Sequence, residues 1–283
     1  MSPHDFKPLP LMPTATAGGA PGGTGSSPWA PLPYADVPRF DARSLIAHWK
    51  RLHAGHEMPA PEHNEALAEG WALYHSGEFE RAAAIGLLHG AEGLALANQA
   101  TAIYANYLEP REAVRLAMFR QVVERAGARV AAEPDDCQAL YWQAYAMGRY
   151  SQGISVARAL AQGLGTRLKE ALERVIALEP RHADAHVALA TFHAEVIDKV
   201  GALVGRMTYG VRSETAVELF EHGIALHPHS ASALMEYARA LLMLHGDARM
   251  AEATRLYEKA AALQPADAKE RLDVELARAG LSE

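Results

Sequence analysis

The sequence predicts an all-α protein: a solenoid of helical hairpins with inserted segments, preceded by a disordered N-terminal tail. Three observations lead there. Apolar residues make up 49% and charged residues 22% of the 283 residues, enough for most of the chain to bury a core. Aromatic content is only 7% and alanine is abundant, which favours closely packed helices over β-sandwiches. Prolines then punctuate the chain: nine of the 16 fall in residues 1–40 together with five glycines, while from Glu62 onward only Pro110, Pro134, Pro180, Pro228 and Pro265 remain, each between helical patterns.

Residues 1–40 show no apolar periodicity and are expected as a disordered Pro/Gly-rich tail. Residues 41–61 hold an amphipathic helix and a linker. Asp41 is placed to cap that helix, and Leu45, Ile46, Trp49, Leu52 and His53 follow at helical spacing, with Arg43, Lys50 and Arg51 on the other face. Such a helix either lies on the first repeat as a cap or offers its apolar face to a partner or a membrane surface. Residues 62–283 form the helical repeat domain.

Aligned on its prolines, that domain is internally similar. The segments Leu168 to Pro180, Ala216 to Pro228 and Ala253 to Pro265 each carry apolar or small residues at the first, fifth and eighth places and proline at the thirteenth. A second helix start follows Pro134, Pro180 and Pro228. Ala144, Ala190 and Ala238 stand eight places into these helices, where two helices must cross closely. Together these features resemble the tetratricopeptide repeat, a helix-turn-helix unit with small residues at places 8, 20 and 27, an aromatic at 24 and proline at 32. Phe220 and Tyr257 fall on the aromatic place, Ala216 and Ala253 on the small place before it, and Gly223 and Ala260 on the small place after it. An earlier unit is legible in Glu65 to His89 through Gly70, Gly77 and Ala82. The resemblance spans Asn64 to Leu281 and fades across Gly90 to Glu133. It implies four to five helical hairpins stacked into a tetratricopeptide-like solenoid.

The prolines at 134, 180 and 228 are 46 and 48 residues apart, so two units carry extra residues between their helices: Tyr150 to Gly165 and Ile197 to Arg212. Enlarged repeats preceded by the segment Tyr141 to Ser151 are similar to the T component of tripartite ATP-independent periplasmic transporters and to the regulator of microtubule dynamics family. Both resemblances imply binding rather than turnover.

Stacked repeats line a concave groove with their first helices. The resemblance carries the groove-facing places onto Gln138, Tyr141, Tyr145, Gly148 and Arg149, then Asp184, Val187, Thr191, Ala194 and Glu195, then Ser232, Met235, Arg239, Leu242 and Met243. None is Lys or Asn, so the carboxylate clamp of the chaperone-binding repeats is missing. Tyr141, Tyr145, Arg149, Thr191, Glu195 and Arg239 are the candidate groove residues. They suit a protein or peptide partner, or a small amphipathic ligand in a pocket closed by the inserted segments.

Other chemistries find little footing. His186 and His193 share a helix face but occupy packing places of the repeat, so they are expected in the core, and no metal site is expected. The run Gly18 to Gly25 is glycine-rich but lacks the Lys-Ser/Thr ending of a phosphate loop, and Glu62-His63-Asn64-Glu65 is not a zinc-protease motif. Cys137, the one cysteine, begins a helix beside Glu133, Asp135 and Asp136 and is expected as a buried structural thiol in a reducing, cytoplasmic setting. Residues 1–61 carry five Lys/Arg against four acids, so all of the formal net charge of −7, and slightly more, belongs to the repeat domain. An acidic body disfavours nucleic acid as a partner. No run is apolar enough to span a bilayer and no secretory signal is seen. The expected function is a bacterial, cytoplasmic, non-enzymatic binding scaffold without a cofactor, or else a small-molecule carrier.

Overall fold

A computed structural model describes residues 28–282. Among these residues the structure is helical, with no strand. Five antiparallel hairpins follow one another. The first pairs α2 (Glu65–His75) with α3 (Phe79–Leu88), and the second α4 (Gly90–Tyr107) with α5 (Glu112–Ala132). In the third, α6 (Cys137–Gln152) pairs with α8 (Leu164–Leu178), and in the fourth α9 (Ala183–Val200) pairs with α11 (Ser213–Leu226). The two inserted segments fold as short helices inside these hairpins, α7 (Val156–Ala161) and α10 (Ala202–Tyr209). The fifth hairpin is α12 (Ala231–His245) with α13 (Met250–Ala261), and α14 (Ala268–Gly280) closes the array. In front lies α1 (Ala42–Leu52), packed on α2.

Local chemistry explains the boundaries. The Asp41 carboxylate accepts from Ser44 N at 2.7 Å and the Ser44 hydroxyl accepts from Asp41 N at 3.0 Å, a reciprocal cap at the start of α1. Asn64, Asp136, Ser230 and Asp267 cap α2, α6, α12 and α14 in a one-sided way, each accepting from an N–H three residues on. Each capped start follows the proline-bearing junction or linker read in the sequence, because a proline ring cannot sit inside a helix but readily occupies the turn before one.

Small residues set the crossings. Ala144, Ala190 and Ala238 are essentially sealed from solvent, as are Ala216, Phe220 and Ala260. Between α3 and α4 the approach is tighter still: a Cβ on Gly93 would stand 2.1 Å from the Gly86 carbonyl oxygen, so the backbones touch there and only glycine fits. Phe220 stacks on Tyr237 at 5.0 Å between ring centres, joining the fourth and fifth hairpins. His186 and His193 are buried as expected, and the His182 ring caps α9 by accepting from Ala185 N at 3.1 Å. Among the described residues no group of three His, Cys, Asp or Glu side chains is arranged to hold a metal ion.

Residues 28–40, expected as part of the disordered tail, run along the body. Trp29 stacks on Tyr104 at 4.3 Å, Phe40 N donates to the Ser76 hydroxyl, and Val37 is buried. The compositional signal was dominated by proline and glycine, and it hid a few aromatic and apolar side chains that find partners on α2, α4 and α14. The expected disorder of residues 1–27 lies outside the described residues. Helix α1 buries Leu45 and Trp49 against the first hairpin, in keeping with the capping arrangement.

The superhelix nearly closes on itself. The His75 ring on α2 meets the Asp267 carboxylate, Arg51 on α1 forms a two-pronged pair with Glu270, and Tyr107 at the end of α4 donates to Asp273. Helix α14 thereby ties the last hairpin to the first two.

Candidate binding cavity

Closure of the array turns the concave groove into a cavity of about 220 Å³. Its wall comes from α2, α4, α6, α9, α12 and α14, the inward helices of the superhelix, together with α8 and the inserted helices α7 and α10. Five of the six candidate residues, Tyr141, Tyr145, Arg149, Thr191 and Glu195, line it together. Arg239 does not: it is buried behind Glu236, with which it pairs at 3.4 Å. From the wider groove set, Gly148, Asp184, Val187 and Ser232 also face the cavity, whereas Met235 and Ala194 are packed in the core. A groove place becomes a packing place where the superhelix tightens, which repeat numbering alone does not reveal.

The lining mixes charged and apolar groups. Arg149 Nη2 lies 2.9 Å from Glu236 Oε1, Lys269 Nζ lies 2.7 Å from Asp273 Oδ2, and Lys199 Nζ lies 3.8 Å from Glu195 Oε2. Burial works against the Arg149 and Lys269 cations, yet Tyr145 and Glu236 around Arg149, and Asp273 and Tyr107 around Lys269, keep their pKa values well above the ordinary ones. Burial likewise works against ionised Glu236, but Arg239 and Arg149 hold its carboxyl below the usual range. For Asp273 burial wins and its pKa rises despite Lys269. The guanidinium of Arg149 also sits 5.4 Å from the centre of the Tyr145 ring, a cation–π contact. Burial pushes Tyr74, Tyr107, Tyr141 and Tyr145 upward, so these phenols act as neutral hydrogen-bonding groups.

The apolar part of the wall comes from Leu164, Leu168 and Leu172 of α8 and from Phe192, Val196 and Val200 of α9, interleaved with Glu195 and Lys199. The inserted segments stand here: Val156, Ala159 and Leu160 of α7 and Tyr209 of α10 line the cavity. Val156 and Leu160 are exposed, as are Leu203 and Met207 of α10, so both inserted helices carry apolar side chains at the surface.

Sequence reasoning missed Lys269, Asp273, Tyr107 and Glu236. Tyr107 and its neighbour Ile103 lie in α4, where the repeat pattern fades. Lys269 and Asp273 lie in α14, which follows the last proline-ended unit and has no repeat place to assign. Glu236 stands one residue after a groove place, and only the contact with Arg149 on another hairpin distinguishes it.

No family model matches the chain, and no curated protein matches it either. Among solved structures the chain is similar to a thermophilic TPR protein from Thermus thermophilus, with a TM-score of 0.53 and 18% identity over 76% of this chain and 97% of that one. At this identity the likeness is one of fold: the chain has a tetratricopeptide-like helical architecture. No helix among the described residues is long and apolar enough to cross a membrane.

Proposed function

We propose that this protein is a non-enzymatic binding protein that holds a small amphipathic molecule in the interior of its helical superhelix. The observation that supports this reading is the mixed lining of the cavity: the two inserted segments add apolar side chains to a wall that also holds buried charged pairs. An apolar cavity of about 150 Å³ holds benzene, so 220 Å³ suits a compact ligand somewhat larger than that. A polar head would exchange hydrogen bonds with Arg149, Tyr145 and Lys269, and an apolar body would lie against Leu164, Leu168 and Phe192. The charged pairs balance one another, so the cavity favours a dipolar or hydrogen-bonding head over a highly charged one.

A protein or peptide partner is the second reading, supported by the exposed apolar side chains Leu203, Val204 and Met207 on α10. Native mass spectrometry separates the two. A carrier retains a co-purified small molecule that Leu160→Trp, which fills the rim, and Arg149→Met both release. A peptide binder shows a clean mass and loses partner capture on Leu203→Ser with Met207→Ser. A clean mass together with no thermal shift across a panel of small amphiphiles overturns the carrier reading.

A further inference from the structure

A row of ring nitrogens and carboxylates joins the first hairpin to the last. Asp267 Oδ2 lies 2.6 Å from His75 Nδ1, His75 Nε2 lies 3.2 Å from His53 Nε2, and His53 Nδ1 lies 3.1 Å from His56 Nε2. His56 Nδ1 makes no hydrogen bond and faces Asp184 Oδ2 at 3.6 Å. Four helices and one turn meet here. His53 ends α1, His56 is in the turn beyond, His75 ends α2, and the two aspartates begin α14 and α9. The three rings and Asp267 are sealed from solvent, while the Asp184 side chain retains 32% of its surface, open towards the cavity.

Counting protons makes this row unusual. It has four contacts, and each needs one proton between its two heavy atoms. Three neutral imidazoles carry three N–H groups. If these point toward Asp267, His56 Nδ1 is left as a bare lone pair against the Asp184 carboxylate. If they point toward Asp184, His75 Nδ1 is bare against Asp267 at 2.6 Å. A fourth proton completes every contact. A fifth places N–H against N–H at one of the ring-to-ring contacts, 3.1 or 3.2 Å apart.

We propose that this row is a proton-operated clasp: it holds the two ends of the superhelix together when its three histidines share one extra proton, and it releases them when acid adds a second. Charged and titratable groups around it suit a single extra proton. Lys269 and the Arg51–Glu270 pair stand by Asp267, and Tyr74 approaches it from α2. Tyr141 and His227 lie by Asp184, while Glu179 and the stacked His182 ring lie by His56. Burial, with His75 and His56 on either side, holds the central His53 well below the ordinary histidine value. The backbone is built to the same contact: Asp184 N donates to the Gly55 carbonyl at 3.1 Å, and a Cβ on Gly55 would stand 2.3 Å from the Asp184 carboxylate.

The test uses full-length protein freed of any bound molecule, so its outcome is independent of what the cavity holds. Ring nitrogen resonances of ¹⁵N-histidine-labelled protein at neutral pH are expected to sum, over His53, His56 and His75, to one imidazolium. In Asp184→Asn the amide donates to His56 Nδ1, and the sum falls to zero. On acidification below the ordinary histidine value, labels on Glu62→Cys and Arg278→Cys in a Cys137→Ala background move apart while the helical circular dichroism is retained. Three neutral rings in the parent protein, or a label distance that stays constant until the helices melt, overturns the proposal.

Discussion

Arg149 and Glu236 come from different hairpins, and each is nearly closed off from water, with side-chain exposures of 16% and 10%. Removing one partner strands the other, and for buried pairs that loss is about 3–5 kcal/mol. Arg239, 3.4 Å from Glu236, softens it, so Arg149→Met is expected to cost about 3 kcal/mol in urea unfolding. Adding Glu236→Gln should restore part of the loss, measured as a positive coupling in a double-mutant cycle. Cys137 allows a second test. Burial pushes its thiol up to about 12, with Glu179 and the neighbouring aspartates adding to the effect. The thiolate fraction at pH 8 is then about 10⁻⁴, against roughly a quarter for a free thiol. A disulfide reagent should therefore modify the native protein orders of magnitude more slowly than the urea-unfolded chain, and equal rates would refute a buried thiol.

Elements are held by interfaces of quite different kinds. In α12, Ala238 is fully buried where the last hairpin crosses its neighbour. Ala238→Leu should overpack that crossing and cost about 1–3 kcal/mol, read as a lowered thermal midpoint. The non-helical stretch 28–40 is held instead by scattered contacts: the Trp29–Tyr104 stack, Val37, and the pair of Asp36 with Arg271 at 3.0 Å. Together these are worth about 2 kcal/mol. A truncation through residue 40 should thus melt about 4–8 °C below a truncation through residue 27. Equal midpoints would show that this stretch contributes nothing.

Over the whole molecule, acid acts through buried histidines. Burial lowers His53 well below 6.5 and, with His56 alongside, lowers His182 to about 3. A lowered histidine stays neutral in the folded protein while the unfolded chain takes up a proton at the ordinary value. Stability is then fully present above 6.5, falls as pH drops below it, and continues to fall toward about 3 as His182 is forced to ionise. Asp267, kept low against the opposing effect of burial by His75, adds a further loss below its ordinary value of 3.8. The urea midpoint should decline with a slope that begins in the histidine range, and His182→Asn, which retains a capping acceptor, should reduce that slope.

How much of this was legible in the chain depends on the range of the interaction concerned. Caps, prolines and the spacing of Ala144, Ala190, Phe220 and Ala238 are local signals, because a helix's ends and its buried stripe are set by residues within a few turns of one another. They sufficed for an all-α array of hairpins with two inserted segments, and they put Tyr141, Tyr145, Arg149, Thr191 and Glu195 on helix faces that line the cavity. Four outcomes needed the third dimension: closure of the superhelix through α14, the mixed charged and apolar lining of the cavity, the docking of residues 28–40, and the row from Asp267 to Asp184. Each joins residues from distant parts of the chain, as His75 and Asp267 do across 192 positions. A small change in the rotation between successive hairpins accumulates around the array and decides whether its ends meet. No single repeat contains that sum, so the sequence by itself determined the hairpins, and only the tertiary structure decided what they enclose.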